Sequence, residues 1–512
     1  MFCLVETKRS LRPRSYFALL ILIVFIAGAD GIPRRPIAHR APKTPAITIS
    51  LQSDLDSYGE SGASQGWTSS PDGRGTIDII WSCLLTVFLC AWTSICVNVP
   101  PLGATPLGNF WRKLLVFFET LAGPEFIFHT AIGEYVVARQ SVRDFRDAGF
   151  HGWTIRHGFF ANMGGFVLDA RPDFVPFPLN VHQLHYLVRN GYVDYEKILI
   201  KEEEVEDKNK FDTLTRIVTI VQLFWFAIDI LARVILGMAL TTLELSTIGF
   251  IFCAVSTAIF WRHKPQDVSY PILLEPNVPL CEILMNAGHD AAKPYSYTPL
   301  DFASSKPHMF QGIWRYCFRI PERVGFYFHS PKRPINKIWD DNFPELIPWA
   351  DAALAVVQFG FAAIHVAGWN FHYPTDVERI MWRTCTVFIL CSMFMVWVIL
   401  SSTYIGLPRL RSWLEARHNS ASPILLCRLQ ARLRSTKSYQ LMKRIASHKI
   451  NNSPNKAPDE DIPLLTAVVL IPLGVLYVVA RMFIIIEDMI NFRSLPPSVY
   501  ASVDWTAFLP HF

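Results

Sequence analysis

Six stretches of about 20 apolar residues constrain this chain more than any other feature. They cover residues 77–99, 214–236, 240–260, 350–369, 384–404 and 464–486. A bilayer core needs about 20 helical residues, and lipid offers the backbone no hydrogen-bond partners, so such stretches cross as helices. Only 18% of the 512 residues are charged, against about a quarter in soluble domains. The expected fold class is therefore all-α and polytopic, with six transmembrane helices. The lipid bilayer is the first partner.

The N-terminus reads as a targeting segment. Lys8, Arg9, Arg12 and Arg14 precede an apolar run at 16–26, and Ala27-Gly28-Ala29 follows as a cleavage site. Residues 1–29 are expected to be a cleaved signal peptide, with a retained signal anchor as the alternative. Residues 30–76, rich in Pro, Ser, Gly and Asp, read as a flexible lumenal or extracellular arm. The ten cysteines show no C-x-x-C and no zinc-finger spacing, and most fall in apolar runs. They read as buried free thiols rather than a disulfide framework. No basic stripe with interleaved aromatics occurs, so nucleic acid is not an expected partner. No cofactor motif is present: H-E-x-x-H, G-x-S-x-G and the P-loop are all absent.

A seventh apolar element, 114–138, carries Glu119, Glu125, His129 and Glu134 around Gly123-Pro124. Each acid costs roughly 2.5–3.5 kcal/mol near the centre of a span, so an interfacial or re-entrant element is expected instead. Charge sets the orientation. Residues 405–461 hold eleven Lys/Arg against four acids, WRHK follows the third span, and Arg112 and Lys113 follow the first. The positive-inside rule puts all three in the cytosol, which works from a lumenal residue 30 only if 114–138 does not cross. The loops 100–213, 261–349 and 405–461 are then cytosolic, and the tail 487–512 is not. The connection 265–349 is expected to be compact but irregular. The sequon Asn451-Asn452-Ser453 faces the cytosol and stays unglycosylated.

Ionisable residues sit inside these spans. At about 1.5 Å per residue, Arg233, Glu244, His365 and Arg481 lie roughly 5–8 Å below the outer boundary, and Asp229 about 10 Å below it. They form one expected layer near the non-cytosolic face. Asp229 and Arg233, at i,i+4, share a helix face and can pair. Such a layer either fixes helix register, or snorkels to headgroups, or lines a path for a solute or ion. His365 reads as a packing histidine. Glu125 and His129, also at i,i+4, could ligate a metal or relay a proton. An amphipathic interfacial helix with a solvated acidic face is the simpler reading.

Several segments together resemble an uncharacterised family of fungal multi-spanning membrane proteins. They are IDIIWSCLLTVFLCAWTSICVNVP, GWTIRHGFFANMGGFVL, EEVEDKNKFDTLTRIVTIVQLFWFAIDILARVILGMALTTLELSTIGFIFCAVSTAIFWRHKPQDV, IHVAGWNFHYPTDVERIMWR and YVVARMFIIIEDMINFRSLPPSVYASVDW. The resemblance runs from residue 77 onward and implies architecture and source but no reaction. It also implies that Arg233, His365 and Arg481 fall on positions the family uses, while Asp229 stands where an amide is usual. The expected role is a membrane scaffold or receptor whose loops 100–213 and 261–349 bind cytosolic proteins. The alternative is a transporter or channel built on the ionisable layer.

Overall fold

The computed structural model describes residues 64–70, 73–200, 213–292, 297–304, 333–340, 342–406 and 464–503, with single positions at 295, 310, 311, 314 and 409. The segment expected to be a signal peptide, most of residues 30–76, the charged run at 201–210 and nearly all of 405–461, sequon included, lie outside the described residues. Six helices are long and apolar enough to cross a membrane: α1 (Thr76–Ser94), α7 (Thr213–Ile235), α8 (Thr242–Trp261), α10 (Pro348–Ala367), α11 (Asp376–Ser401) and α12 (Leu464–Ile490).

The helices start where side chains can take up free backbone N–H groups. Thr241 and Glu244 form a capping box on α8, and Thr375 accepts from the Glu378 N–H at the start of α11. That cap begins α11 eight residues before its apolar run, on charged residues that hydropathy discounts. The first apolar run, conversely, stops being helical at Ser94. Residues 95–99 continue buried but outside the helix, with Ile95 extended.

Helix α8 is the centre of the bundle. Its span window is 67% buried, whereas those of α11 and α12 are 22% buried. It packs against α1, the helix Pro124–Asp147, α10 and α12. Its small residues permit this, because close backbone approach is what drives helix association in lipid. A Cβ on Gly249 would stand 3.1 Å from the Phe361 ring, and one on Gly360 of α10 would stand 2.9 Å from Phe252. Outward faces of α7 and α12 carry exposed Phe224, Trp225, Val475 and Val479, which form an apolar belt.

The element at 114–138 is two helices. Helix α2 (Pro106–Ala122) and α3 (Pro124–Asp147) meet at Gly123 with a bend of 112°. Pro124 supplies the break, since it can start a helix but not continue one. Helix α2 exposes Leu107, Phe110, Trp111, Leu115 and Phe118, spaced to lie along one face. Helix α3 turns into the bundle. Glu125, His129 and Glu134 are all at most 4% exposed, so the expected solvated acidic face is instead a buried one.

At the other end of α3 the chain leaves the all-α expectation. The loops before α7 and after α8 build one domain with α4 (Ile155–Asn162), β1 (Phe166–Leu168), β2 (Phe177–Leu179), α5 (Val181–Arg189), α6 (Tyr195–Ile198), β3 (Ile272–Leu274) and α9 (Leu280–Ala287). Strand β1 pairs antiparallel with β2 and parallel with β3, with Phe166 opposite Leu179 and Ile272. Phe145, Phe166, Leu184, Ile198, Leu274 and Ile283 share its core, which draws on both loops. The connection read as irregular thus supplies an edge strand.

Opposite this domain, the end of the N-terminal arm is docked rather than free. Gln65 bridges Leu495, and the Tyr500 hydroxyl donates to the Gly66 carbonyl at 2.8 Å. The chain therefore enters and leaves the bundle at the same end.

Candidate functional site

The ionisable residues expected in one layer fall into two groups. The first closes the end where arm and tail meet. Arg74, in the arm, donates to Glu244 Oε1 at 2.5 Å. Burial works against the charge on Arg74, but the Glu244 carboxylate outweighs it and holds the guanidinium above its usual range. Glu244 Oε2 accepts from the Thr241 backbone N–H and hydroxyl, at 2.8 and 3.0 Å. Glu244 is therefore a helix cap and an ion-pair partner at once. Arg233, 1% exposed, donates to the carbonyls of Val499, Ala501 and Ser498 at 2.6, 2.9 and 3.3 Å. Asp229 sits half-buried on the same helix and forms no ion pair with Arg233 among the described residues. The i,i+4 spacing permits such a pair, but the tail carbonyls engage the guanidinium instead.

The second group lies deeper. Helix α12 ends at Ile490, beyond the apolar run, which puts Arg481 about 14 Å from its end. Arg481 Nη1 lies 3.3 Å from His365 Nε2, and its Nε donates to the Ala122 carbonyl at 3.3 Å. The guanidinium stacks over the Phe361 ring at 4.5 Å. His365 Nδ1 faces the Phe361 carbonyl at 2.9 Å, so Nδ1 carries the hydrogen and Nε2 accepts from Arg481. Glu125, fully buried, accepts a hydrogen bond from the Tyr477 hydroxyl, while its Oε2 makes none. His129 faces aromatic rings, with Phe343 4.6 Å away. Among the described residues no cluster of three His, Cys, Asp or Glu could hold a metal ion, so Glu125 and His129 have no third ligand.

A third network escaped the sequence reading. Lys264 Nζ and the Trp261 indole both donate to Glu134 Oε2 at 2.7 Å, and Lys264 is 4% exposed. It pins α3 to the end of α8 where bundle meets domain. The sequence held one clue, since Glu134 was an acid too many for a span. Arg74 and Tyr477 offered none, because their partners lie 170 and 352 residues away.

A cavity of about 100 Å³ lies in the domain, lined by Asn180, His182, Gln183, Thr298, Asp301 and Ser304 among others. Its polar groups largely bind one another: Gln183 donates to Thr298 and Ser304 at 2.8 and 3.0 Å.

Residues 47–290, 350–447 and 455–512 match the model of a family of unknown function, DUF8562. The chain belongs to this family. The matched residues include every hydrogen-bonded or ion-paired member named in the three networks but leave out 291–349, and with it the Phe343 ring beside His129. No curated protein and no solved structure matches the chain.

Proposed function

We propose that this DUF8562 member is a fungal integral membrane protein of the secretory pathway, acting as a scaffold or receptor. Its bundle holds one cytosolic domain, built from loops 100–213 and 261–349, against the membrane for cytosolic proteins to bind. The arm and tail face the lumen or exterior. Helices α2 and α3 form a re-entrant pair, with the exposed face of α2 against lipid and Gly123 at its tip.

The sealing of the ionisable groups carries this reading. Glu244 and Arg233 are at most 1% exposed; the arm's Arg74 takes one Glu244 oxygen, Thr241 takes the other, and tail carbonyls take both terminal nitrogens of Arg233. A solute path needs such groups to face water. Here they fasten the arm to α8 and the tail to α7. One observation favours a transport reading instead: Glu125 Oε2, buried and without a hydrogen bond, stands beside the break of a bent helix pair. Broken helices build binding sites in many transporters.

Native thiols test the choice. Cys83 and Cys253 lie in the bundle at no more than 1% exposure, while Cys281 is exposed on the domain. Membrane-impermeant thiosulfonate reagents, applied from both sides and mapped by peptide mass, should modify Cys281 alone of these three. Rapid modification of Cys83 or Cys253 in the folded protein would mean a water-filled path and would favour transport. Arg481→Leu should lower surface abundance, and normal abundance with lost uptake would overturn the scaffold reading.

A further inference from the structure

The cavity in the domain lies where the last turn of α4 and the start of α5 meet the segments 297–304 and 335–340. Most polar groups on its wall are committed to one another. Asn180 and Gln183 cap each other across the first turn of α5, and their side-chain N–H groups both donate to Ser304 Oγ, at 2.8 and 3.0 Å. Asp301 accepts from the Tyr297 and Thr298 backbone N–H groups at 2.7 and 3.0 Å. Three wall groups are left over. Asn162 is 8% exposed, yet its side-chain amide makes no hydrogen bond among the described residues. His182 Nε2 is buried without a partner. Ser304 Oγ accepts twice and keeps its own hydrogen uncommitted among the described residues. Buried polar groups are rarely left unbonded, because the lost hydration is not recovered. A molecule in the cavity supplies what these three lack.

The wall's chemistry restricts the class of that molecule. Among the described residues no Lys or Arg lines the cavity, so nothing there holds a phosphate or a carboxylate. Burial lowers the pKa of His182, which is therefore neutral at pH 7. The one carboxylate, Asp301, is met by its own turn and asks for no cation. An amide, a neutral imidazole and a free hydroxyl hydrogen offer donors and acceptors together. Hydroxyl groups answer both, since each donates and accepts. Ile335, Ile338 and Trp339 supply apolar wall for a carbon chain. Size sets the upper limit. A cavity of about 150 Å³ takes benzene, so one of about 100 Å³ takes about four to six non-hydrogen atoms.

We propose that this cavity binds one small neutral polyol, of the size of glycerol, through Asn162, His182 and Ser304. The occupant braces the wall at 335–340, which ties the domain to α2: Asp340 accepts from the Asn98 backbone N–H at 2.6 Å and stands 3.6 Å from Arg112. The proposal depends neither on the orientation of the chain nor on whether the bundle transports anything.

The test is ligand-detected saturation-transfer NMR on the purified full chain, kept free of glycerol in a phosphocholine detergent that has no sugar headgroup to compete. Glycerol and erythritol should show saturable transfer, and acetate and methylammonium should show none. Asn162→Leu should weaken glycerol binding about tenfold. Because the amide bonds nothing in the protein, the same variant should unfold at a midpoint no lower than that of the wild type, whereas loss of a structural amide would lower it. If Asn162→Leu does not fold, His182→Phe decides in its place, since it keeps a ring and loses the nitrogen; the same weakening is expected. No saturable polyol transfer, equal affinity in wild type and variant, or binding of acetate or methylammonium instead of polyol would overturn the proposal.

Discussion

Arg74→Met isolates the contact that ties the arm to the bundle. Arg74 and Glu244 meet at 2.5 Å with side chains 14% and 0% exposed. Removing one member of a buried ion pair costs about 3–5 kcal/mol, chiefly because the other charge stays buried alone. Glu244 keeps two hydrogen bonds from Thr241, and Arg74 is partly solvated. These reduce the expected loss to about 2–3 kcal/mol. Glu244→Gln preserves the capping residue type at the third helical position while removing the charge. The double variant Arg74→Met/Glu244→Gln should therefore recover most of the loss, with a coupling of about 1–2 kcal/mol. Denaturant unfolding of all four proteins in one detergent measures the cycle, and peptide-level hydrogen exchange over 64–75 reports whether the arm releases. A single variant within about 0.5 kcal/mol of wild type, or two effects that simply add, would show that the arm is not held by this pair.

Gly158→Ala should destabilise the domain by about 1–3 kcal/mol, because the new Cβ would stand 2.9 Å from the Ala138 carbonyl oxygen at the α3–α4 crossing. Proteolysis of the domain at fixed temperature would show it as faster cleavage. Burial lowers the pKa of His182, which lies outside the spans. The unfolded chain then takes up a proton before the folded one does, so stability is complete above the ordinary histidine value and falls as pH drops toward the lower folded value. His182→Gln should flatten that slope below about pH 6.5, measured by unfolding at each pH. Trp111 is 56% exposed on the apolar face of α2. Brominated lipid should quench its fluorescence, read as the difference from Trp111→Phe, and quenching unchanged by that substitution would remove α2 from the lipid surface.

The number of membrane-length helices was legible because hydropathy is a local property. Each of the six apolar runs became a helix, and the Gly123-Pro124 break fell where the chain bends. Boundaries were less legible. Helix α11 starts on Asp376 because Thr375 caps it, and α12 runs through Glu487 and Asp488 because its first stop lies beyond the apolar run. That second shift carried Arg481 inward, and it explains why the expected single layer divides in two.

Pairing belongs to another level. The sequence by itself determined that Arg233, Glu244, His365 and Arg481 would sit in helices long enough to cross a membrane, where each needs a partner, a headgroup or a path. Which atoms would satisfy them was decided only by the tertiary structure. Arg74, the tail carbonyls and Tyr477 come from segments that share no periodicity with their partners. Likewise, β3 looked irregular until β1 offered it an edge. A buried charge imposes a need that spacing can reveal, but the groups that meet it are chosen by three-dimensional proximity, which local pattern does not encode.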